Sequence, residues 1–269
     1  MSHPDPHNPY ASPMAPPVDL PPASLVIQPI QQMEYFRAYN YIFENPNWVM
    51  NVLMGFLCIL STAIIPLLGQ LLFMGYQFDV AQGLLMTQGT RYPSFDLNRF
   101  GDYLMRSLYP FVVSLVFILP LVVILAMGIG MVTAITAAAG GKEGEAVASL
   151  VIIPLMFFGM LAFWLVIMMF VIPLMMRAGL QQEFGAGFDF AWAFDFFKRV
   201  WLEILLSALF LAVTAVILSF LGLLAFCVGV FAVQAIVMLA QAHFWYQLYA
   251  LYLGRGGQPI PLKSMPMSL

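Results

Sequence analysis

Four long apolar runs dominate the pattern of hydrophobic and polar positions along the chain. They cover residues 48–76, 110–139, 146–176 and 204–253. A helix that crosses the hydrocarbon core of a bilayer needs about 20 apolar residues, so the first three runs are each long enough for one crossing and the last for two. The pattern predicts an all-α fold, a polytopic transmembrane helix bundle of about five membrane segments, with six as the alternative.

The first run leaves two topologies open because Pro66 interrupts it. A single span kinked at Pro66 would place the N-terminal tail outside, which its few basic residues permit. A re-entrant hairpin broken at Pro66 would keep the tail inside. We expect the single kinked span, with Gln70 bonding a carbonyl that the kink frees.

Three segments that combine charged and aromatic residues lie beside the apolar runs. As a helix, residues 187–201 place four aromatic residues on one face: Phe190, Phe194, Phe197 and Trp201. The opposite arc carries Asp195, Lys198 and Arg199, and Asp195 and Arg199 are spaced for an i,i+4 ion pair. The segment is therefore predicted to be an amphipathic helix in the membrane interface, with its aromatic side toward the apolar phase.

Residues 34–44 and 97–108 repeat this arrangement, each before an apolar run. In the second segment we expect Arg99 and Arg106 to face water, on the side of the helix opposite Phe100. Aromatic belts at the ends of membrane helices are the alternative explanation of all three segments.

The composition indicates an integral membrane protein. Of 269 residues, 62% are hydrophobic and 9% are charged, whereas a typical soluble domain is about 25% charged. Cys58 and Cys227 both lie in apolar runs, which argues against a disulfide framework and against a metal site. Because the chain has neither a basic tract nor a catalytic or phosphate-binding motif, we expect no nucleic-acid partner, no enzyme activity and no cofactor.

Composition also divides the chain into three parts. The first 33 residues are rich in Pro, Ser and Asn and lack a signal-peptide core, so 1–33 is predicted to be a disordered tail. Residues 34–254 form the predicted transmembrane helical domain, and the Gly/Pro-punctuated residues 255–269 form a predicted flexible tail.

The distribution of basic residues predicts the orientation in the membrane. Lysine and arginine concentrate in the loops at 77–109 and 177–202 and in the C-terminal tail. Cytoplasmic loops are enriched in these residues, so the two loops and the C-terminus are predicted to be cytoplasmic and residues 140–145 external.

Small residues recur every four positions in the second apolar run: Ala126, Gly130, Ala134 and Ala138. Such a seam lets membrane helices approach closely. We expect the contact to be internal to the bundle, with a contact between subunits as the alternative.

The last apolar run contains the polar residues that remain as candidates for chemistry: Gln234, Gln241, His243 and Gln247. The first two are seven residues apart and the last two are four apart, so each pair shares a helix face. An ionisable residue within a span is a functional candidate. Alternatively, these side chains simply bond neighbouring helices.

Several short sequences resemble an uncharacterised prokaryotic membrane family, the domain of unknown function 4013. Its pattern of a Trp, a Gly, an Ile-Pro and a Gly-Tyr before a polar helix is matched by Trp48, Gly55, Ile65-Pro66 and Gly75-Tyr76. "GFDFAWAFDFFKRV" resembles its later segment and "AQAHFWYQLYALYLGR" its closing helix, whereas "TQGTRYPSFDLNRFGDYL" is less acidic than the family pattern. The resemblance covers roughly residues 40–255 and implies no known activity.

"NPYASP" at residues 8–13 resembles a motif at the N-termini of some bacterial membrane proteins. Together the two resemblances imply a bacterial plasma membrane, which is the localisation that we expect. We expect a non-catalytic membrane protein that organises the bilayer or partner proteins as a scaffold or assembly factor. Its partners would be lipids and another membrane protein or a second copy. The alternative is a transporter or channel component with a polar path in the last helices, and an intramembrane enzyme is a third hypothesis.

Overall fold

The computed structural model describes residues 27–139, 146, 150, 153–225 and 228–263. Within these residues the chain is helical and contains no strand. The α-helices, in chain order, are α1 Arg37–Asn40, α2 Trp48–Ser61, α3 Leu68–Met86, α4 Phe100–Ala139, α5 Ile153–Gln181, α6 Phe190–Leu224 and α7 Gly229–Gly254. Short 3-10 turns lie at Tyr41–Glu44, Leu97–Arg99 and Gly185–Phe188.

Three helices of the described chain are long and apolar enough to cross a membrane: α4 with the turn before it, α6 and α7. The most apolar stretches of α4 and α6 are largely exposed, whereas that of α7 is half-buried in the protein. The all-helical fold is as predicted. The number of five or six membrane segments stays a prediction.

The first apolar run is a helical hairpin, so the expectation of a single kinked span is wrong. α2 ends at Ser61, the chain reverses through Leu67 at a positive φ of 71°, and α3 returns antiparallel to α2. Gly69 lies against the carbonyl of Cys58, so close that a Cβ at this position would overlap it. Pro66 lies in the turn, where a residue without an N–H and with a fixed φ interrupts the helix.

The core is built around α3 and α7. Every residue of α3 from Gly75 to Leu85 is buried, as are most residues of α7 from Ala235 to Tyr252. Phe78 of α3 stacks on Trp245 of α7, with 4.6 Å between ring centroids. A helix that is surrounded on all sides shows no amphipathic face, which is why the sequence pattern placed the second half of α3 in a loop.

The segment 97–108 packs on the protein through its polar face, so the expectation that Arg99 and Arg106 face water is wrong. Arg106 is buried and Arg99 is nearly so, whereas Leu97, Phe100 and Leu108 are exposed. Its polar face binds groups on α3 and α5, and its apolar face is directed outward. Amphipathic spacing alone does not say which face meets the protein, because in a membrane the apolar face can meet lipid.

The segment 187–201 is helical, and most of it forms the start of α6. The helix is interrupted at Val200, where φ is −135° and ψ is 22°. Phe190, Phe194 and Trp201 are exposed, whereas Phe197 is half-buried and stacks on Phe170 at 4.7 Å between centroids. The side that is buried in the protein carries Trp192, Ala193 and Phe196 instead.

The segment 34–44 is shorter than a regular amphipathic helix. It consists of α1 and a 3-10 turn, and it packs on α7 through Ala38, Tyr41 and Ile42. Phe36 and Phe43 are exposed. Part of this segment therefore contacts the protein, and part of it is exposed.

Parts of both predicted tails pack on the bundle. Ile27, Ile30 and Met33 contact the core. In the predicted C-terminal tail, Ile260 is buried and its N–H donates to the Tyr249 hydroxyl at 2.5 Å. The "NPYASP" motif, Cys227 and the loop 140–145 lie outside the described residues.

Candidate functional site

The densest group of buried charge joins α3, α4 and α5, and we call it the Asp79 cluster: Asp79, Gln82, Arg99 and Arg106. One carboxylate oxygen of Asp79 binds Arg106, and the other lies 2.6 Å from Nη1 of Arg99. The Asp79 and Arg106 side chains are 2% and 3% exposed. Buried charges of this kind are stable only when they are paired and hydrogen-bonded.

Arg106 is the centre of this cluster because it reaches all three helices. Its guanidinium donates to Asp79 and to the side-chain oxygen of Gln82, and its Nε donates to the carbonyl of Gly179 at 3.3 Å. These bonds use the forked geometry of the arginine side chain. The arrangement fixes α4 against α3 and against the C-terminal end of α5.

The cluster holds two guanidinium groups and one buried carboxylate. Asp102, which is mostly exposed, lies 3.6 Å from Nε of Arg99 and offsets part of the second positive charge. Arg99 also lies over the ring of Tyr103, 5.2 Å from its centroid. The site is therefore an internal ion-pair network.

His243 and Gln247, predicted to share a face of the last helix, are bonded to each other and to the N-terminal segment. The side-chain oxygen of Gln247 accepts from the backbone N–H of Glu34 at 2.6 Å, and its Nε2 donates to the Glu34 carbonyl at 3.0 Å. This fixes the amide, so the same Nε2 donates to Nδ1 of His243 at 2.8 Å. A neutral His243 then carries its proton on Nε2.

The other predicted polar residues do not join this pair. Gln241 lies 3.4 Å from the amide of Gln77, which also donates to the Met238 carbonyl at 2.5 Å. Gln234 is exposed. Gln70 is also exposed and bonds no carbonyl among the described residues, so its expected role at a kink is wrong. The structure thus divides the five candidates among separate environments.

Buried tyrosine hydroxyls bond the backbone of neighbouring segments. The Tyr41 hydroxyl donates to the carbonyl of Leu239 at 2.7 Å, and that of Tyr92 donates to the carbonyl of Ile42 at 2.8 Å. Burial raises the pKa of Tyr92 to about 12, so it stays a neutral donor at physiological pH. These bonds attach the segment 34–44 to α7 and to the chain after α3.

A second group of ion pairs lies on α6 and connects it to the residue that follows α7. Arg199 binds Asp195 at 2.9 Å, as its i,i+4 spacing predicted, and Asp195 also accepts from the Tyr252 hydroxyl at 3.0 Å. Arg255 binds Glu203 and the carbonyl of Arg199. Lys198 is exposed and lies over the ring of Phe194.

The small-residue seam of α4 is exposed in the described structure. Its four residues, Ala126, Gly130, Ala134 and Ala138, are all exposed, and a Cβ built on Gly130 would meet no atom within 4 Å. The expectation of a contact internal to the bundle is therefore not met among these residues. A contact between subunits stays a prediction.

Two polar cavities lie side by side near the N-terminal segment. One, of about 510 Å³, lies between residues 41–47 and 90–94, and the other, of about 400 Å³, is lined by His243, Gln247, Glu34 and Arg37. Among the residues that the structure describes, no group of His, Cys, Asp or Glu is arranged to hold a metal ion. The site residues form polar contacts between helices and leave a shallow polar surface beside them.

One of the comparisons with known proteins identifies a family. The family described as Protein of unknown function (DUF4013) matches residues 56–227, which is more than half of the chain. The chain belongs to this family. The resemblance seen in the sequence is confirmed. The match begins within α2 and covers α3, α4, α5 and α6, and thus includes the whole Asp79 cluster. No curated protein and no solved structure matches the chain.

The sequence of the DUF4013 chain contains one pattern that indicates the Asp79 cluster. Arg99 and Arg106 are seven residues apart, and Asp79 and Gln82 are three apart, so each pair shares a helix face. Because Asp79 follows the apolar run, its segment was placed in a cytoplasmic loop. A charged residue that continues an apolar helix would have indicated a buried partner.

Proposed function

We propose that this protein is a non-catalytic scaffold of a bacterial plasma membrane that holds other membrane helices along its lateral surface. The observation that carries this proposal is the exposure of α4 and α6, whose most apolar stretches are only 11% buried although the core around α3 and α7 is tightly packed. A helix that contributes little to its own core presents its surface to lipid or to a partner.

The exposed side of α4 is suited to a protein partner. Small residues permit close approach of backbones, and the four residues of the seam lie on an open face. The long apolar helices are compatible with a membrane protein, and the DUF4013 match carries no activity. The basic residues of the segments 77–109 and 177–202 and of the C-terminus support a cytoplasmic side for these three parts of the chain.

Photo-crosslinking in the native membrane tests this proposal. A photoreactive residue at Gly130 or Ala134 of α4 is expected to crosslink to a defined protein, either a second copy or another membrane protein. The matched control is Leu239, which is buried in α7 and is expected to give crosslinks within the chain. If every exposed position of α4 and α6 gives only lipid adducts, the proposal of a scaffold is wrong.

A transporter or channel component is the second candidate, because a cavity of about 400 Å³ adjoins His243 and Gln247. Against it, both side chains are bonded to each other and to Glu34, and Gln234 and Gln241 do not line that cavity. Flux of a solute or ion through purified protein in liposomes, abolished by His243→Ala in protein that keeps its fold, would favour the transporter over the scaffold.

A further inference from the structure

The first helix of the α2–α3 hairpin is too short to cross a membrane. α2 has 14 residues, which corresponds to about 21 Å at 1.5 Å per residue. The hydrocarbon core is about 30 Å thick. A helix of this length that begins at one interface ends about 9 Å before the other.

The turn of the hairpin is apolar and exposed. Ile64 is 84% exposed, and Ile65 and Leu67 are more than half exposed. No charged residue occurs between Glu44 and Asp79. An exposed apolar turn at the end of two packed helices costs free energy in water, at about 25 cal/mol per Å² of apolar surface, but not in hydrocarbon.

The backbone of the turn is also suited to a water-free environment, where an unpaired N–H costs several kcal/mol. The N–H groups from Thr62 to Ile65 all donate to carbonyls of α2, and Pro66 has no N–H. The hydroxyls of Ser61 and Thr62 donate to the carbonyls of Cys58 and Ile59 at 2.7 and 2.6 Å. The N–H groups on the α2 side of this turn are thus satisfied without water.

The two ends of the hairpin, in contrast, are polar and lie together. Asn45 donates to the carbonyl of Tyr92 at 2.9 Å, and Asn47 donates to Ser94 at 3.0 Å. The chain therefore enters and leaves at one surface. One face of α2 remains exposed through Val49, Leu53 and Leu57, as expected of a helix in contact with acyl chains.

We infer that the α2–α3 hairpin is a re-entrant element that enters the bilayer from the side of its polar ends and turns inside the hydrocarbon core. In this arrangement lipid acyl chains surround the turn. This inference goes beyond the proposed function, since it holds whether or not α4 and α6 bind another protein. It places residues 45 and 90 on the same side of the membrane.

Single cysteines and an impermeant maleimide test this topology. The background carries Cys58→Ala and Cys227→Ala, and sealed vesicles of both orientations are labelled. Ile64→Cys is expected to stay unlabelled from either side and to react after detergent is added. Asn45→Cys and Thr90→Cys are the matched controls and are expected to react from one and the same side.

Labelling of Ile64→Cys from the side opposite to Asn45→Cys would show two crossings and overturn the inference. Labelling of Ile64→Cys from the same side would show a hairpin in water and would also overturn it. If Ile64→Cys fails to give folded protein, Ile65→Cys, which is also exposed, takes its place. A spin label at the same position is expected to be more accessible to oxygen than to a polar nickel reagent.

Discussion

Asp79 on α3 and Arg106 on α4 form an ion pair in which both side chains are almost completely buried. Asp79 lies in a part of α3 for which the sequence pattern predicts a loop. Arg106 is a residue that the same pattern predicts to face water. Its position beside Gly179 also fixes the end of α5. The Asp79 cluster is therefore the main polar contact that sets the arrangement of α3, α4 and α5.

Asp79→Asn is expected to destabilise the folded bundle strongly. The change leaves Arg106 and Arg99 without their buried carboxylate, and removal of one partner of a buried pair typically costs about 3–5 kcal/mol. Thermal unfolding of the purified protein in detergent measures the effect. Asp102→Asn is the control, because that side chain is 65% exposed; equal losses from both variants would contradict the buried network.

Gly75→Ala is expected to separate α3 from α4. A Cβ at this position would overlap the backbone carbonyl of Tyr103, which cannot move as a side chain can, and overpacking of this kind costs about 1–3 kcal/mol. Gly101→Ala is the matched control, since a Cβ there meets no atom within 4 Å. If Gly101→Ala proves less stable than Gly75→Ala, the result would argue against the close approach of α3 and α4 at Gly75.

Gly130→Leu is expected to leave the stability of the isolated bundle in detergent unchanged, because the position is open. A contact between subunits would instead appear as a loss of assembly, because a bulky side chain forces helix backbones apart. Crosslinking of the native membrane before and after the change measures it. Lower stability of the monomer would mean that the seam has a contact inside the chain.

Phe196→Ala is expected to destabilise the start of α6 by about 3–5 kcal/mol. Phe196 is buried and its ring lies 5.2 Å from that of Trp192 and 4.8 Å from that of Tyr252. Phe190→Ala is the control, because that ring is exposed. Its loss is expected to lower stability more in lipid than in detergent. Equal effects in detergent would argue against the division of this helix into a protein face and a lipid face.

Spin labels scanned along residues 188–201 test where that exposed face lies. Oxygen accessibility is expected to oscillate with a period near 3.6 residues and to run opposite to accessibility to a polar nickel reagent. Labels at Phe190, Phe194 and Trp201 are expected to be oxygen-accessible, and a label at Lys198 nickel-accessible. A flat profile would identify a solvated loop.

The orientation of the whole protein is tested by three further cysteines in the background without Cys58 and Cys227. Lys142→Cys is expected to react with an impermeant thiol reagent in whole cells, whereas Arg91→Cys and Gln181→Cys are expected to react only after the cells are opened. The reason is the concentration of basic residues in the loops at 77–109 and 177–202. The reverse pattern of labelling would place those loops outside.

The sequence by itself determined the class of the protein and much of its local structure. Long apolar runs allow only helices in a bilayer, because every backbone N–H and carbonyl must be bonded within the segment. The i,i+4 spacing of Asp195 and Arg199 also fixed their ion pair, which depends on one helix alone. The family was recognisable from short patterns, of which Ile65-Pro66, Gly75-Tyr76 and "GFDFAWAFDFFKRV" lie within the matched residues.

Only the tertiary structure decided which way the chain turns and which face of each helix is buried. The interruption at Pro66 fits a kink as well as a hairpin, and the packing of α3 against α2 and α7 selects the hairpin. The polar face of residues 97–108 turns inward because Asp79, more than one helix away in sequence, provides the charge that Arg99 and Arg106 require. Amphipathic periodicity specifies that a helix has two faces, but partners distant in the chain decide which of them the protein covers.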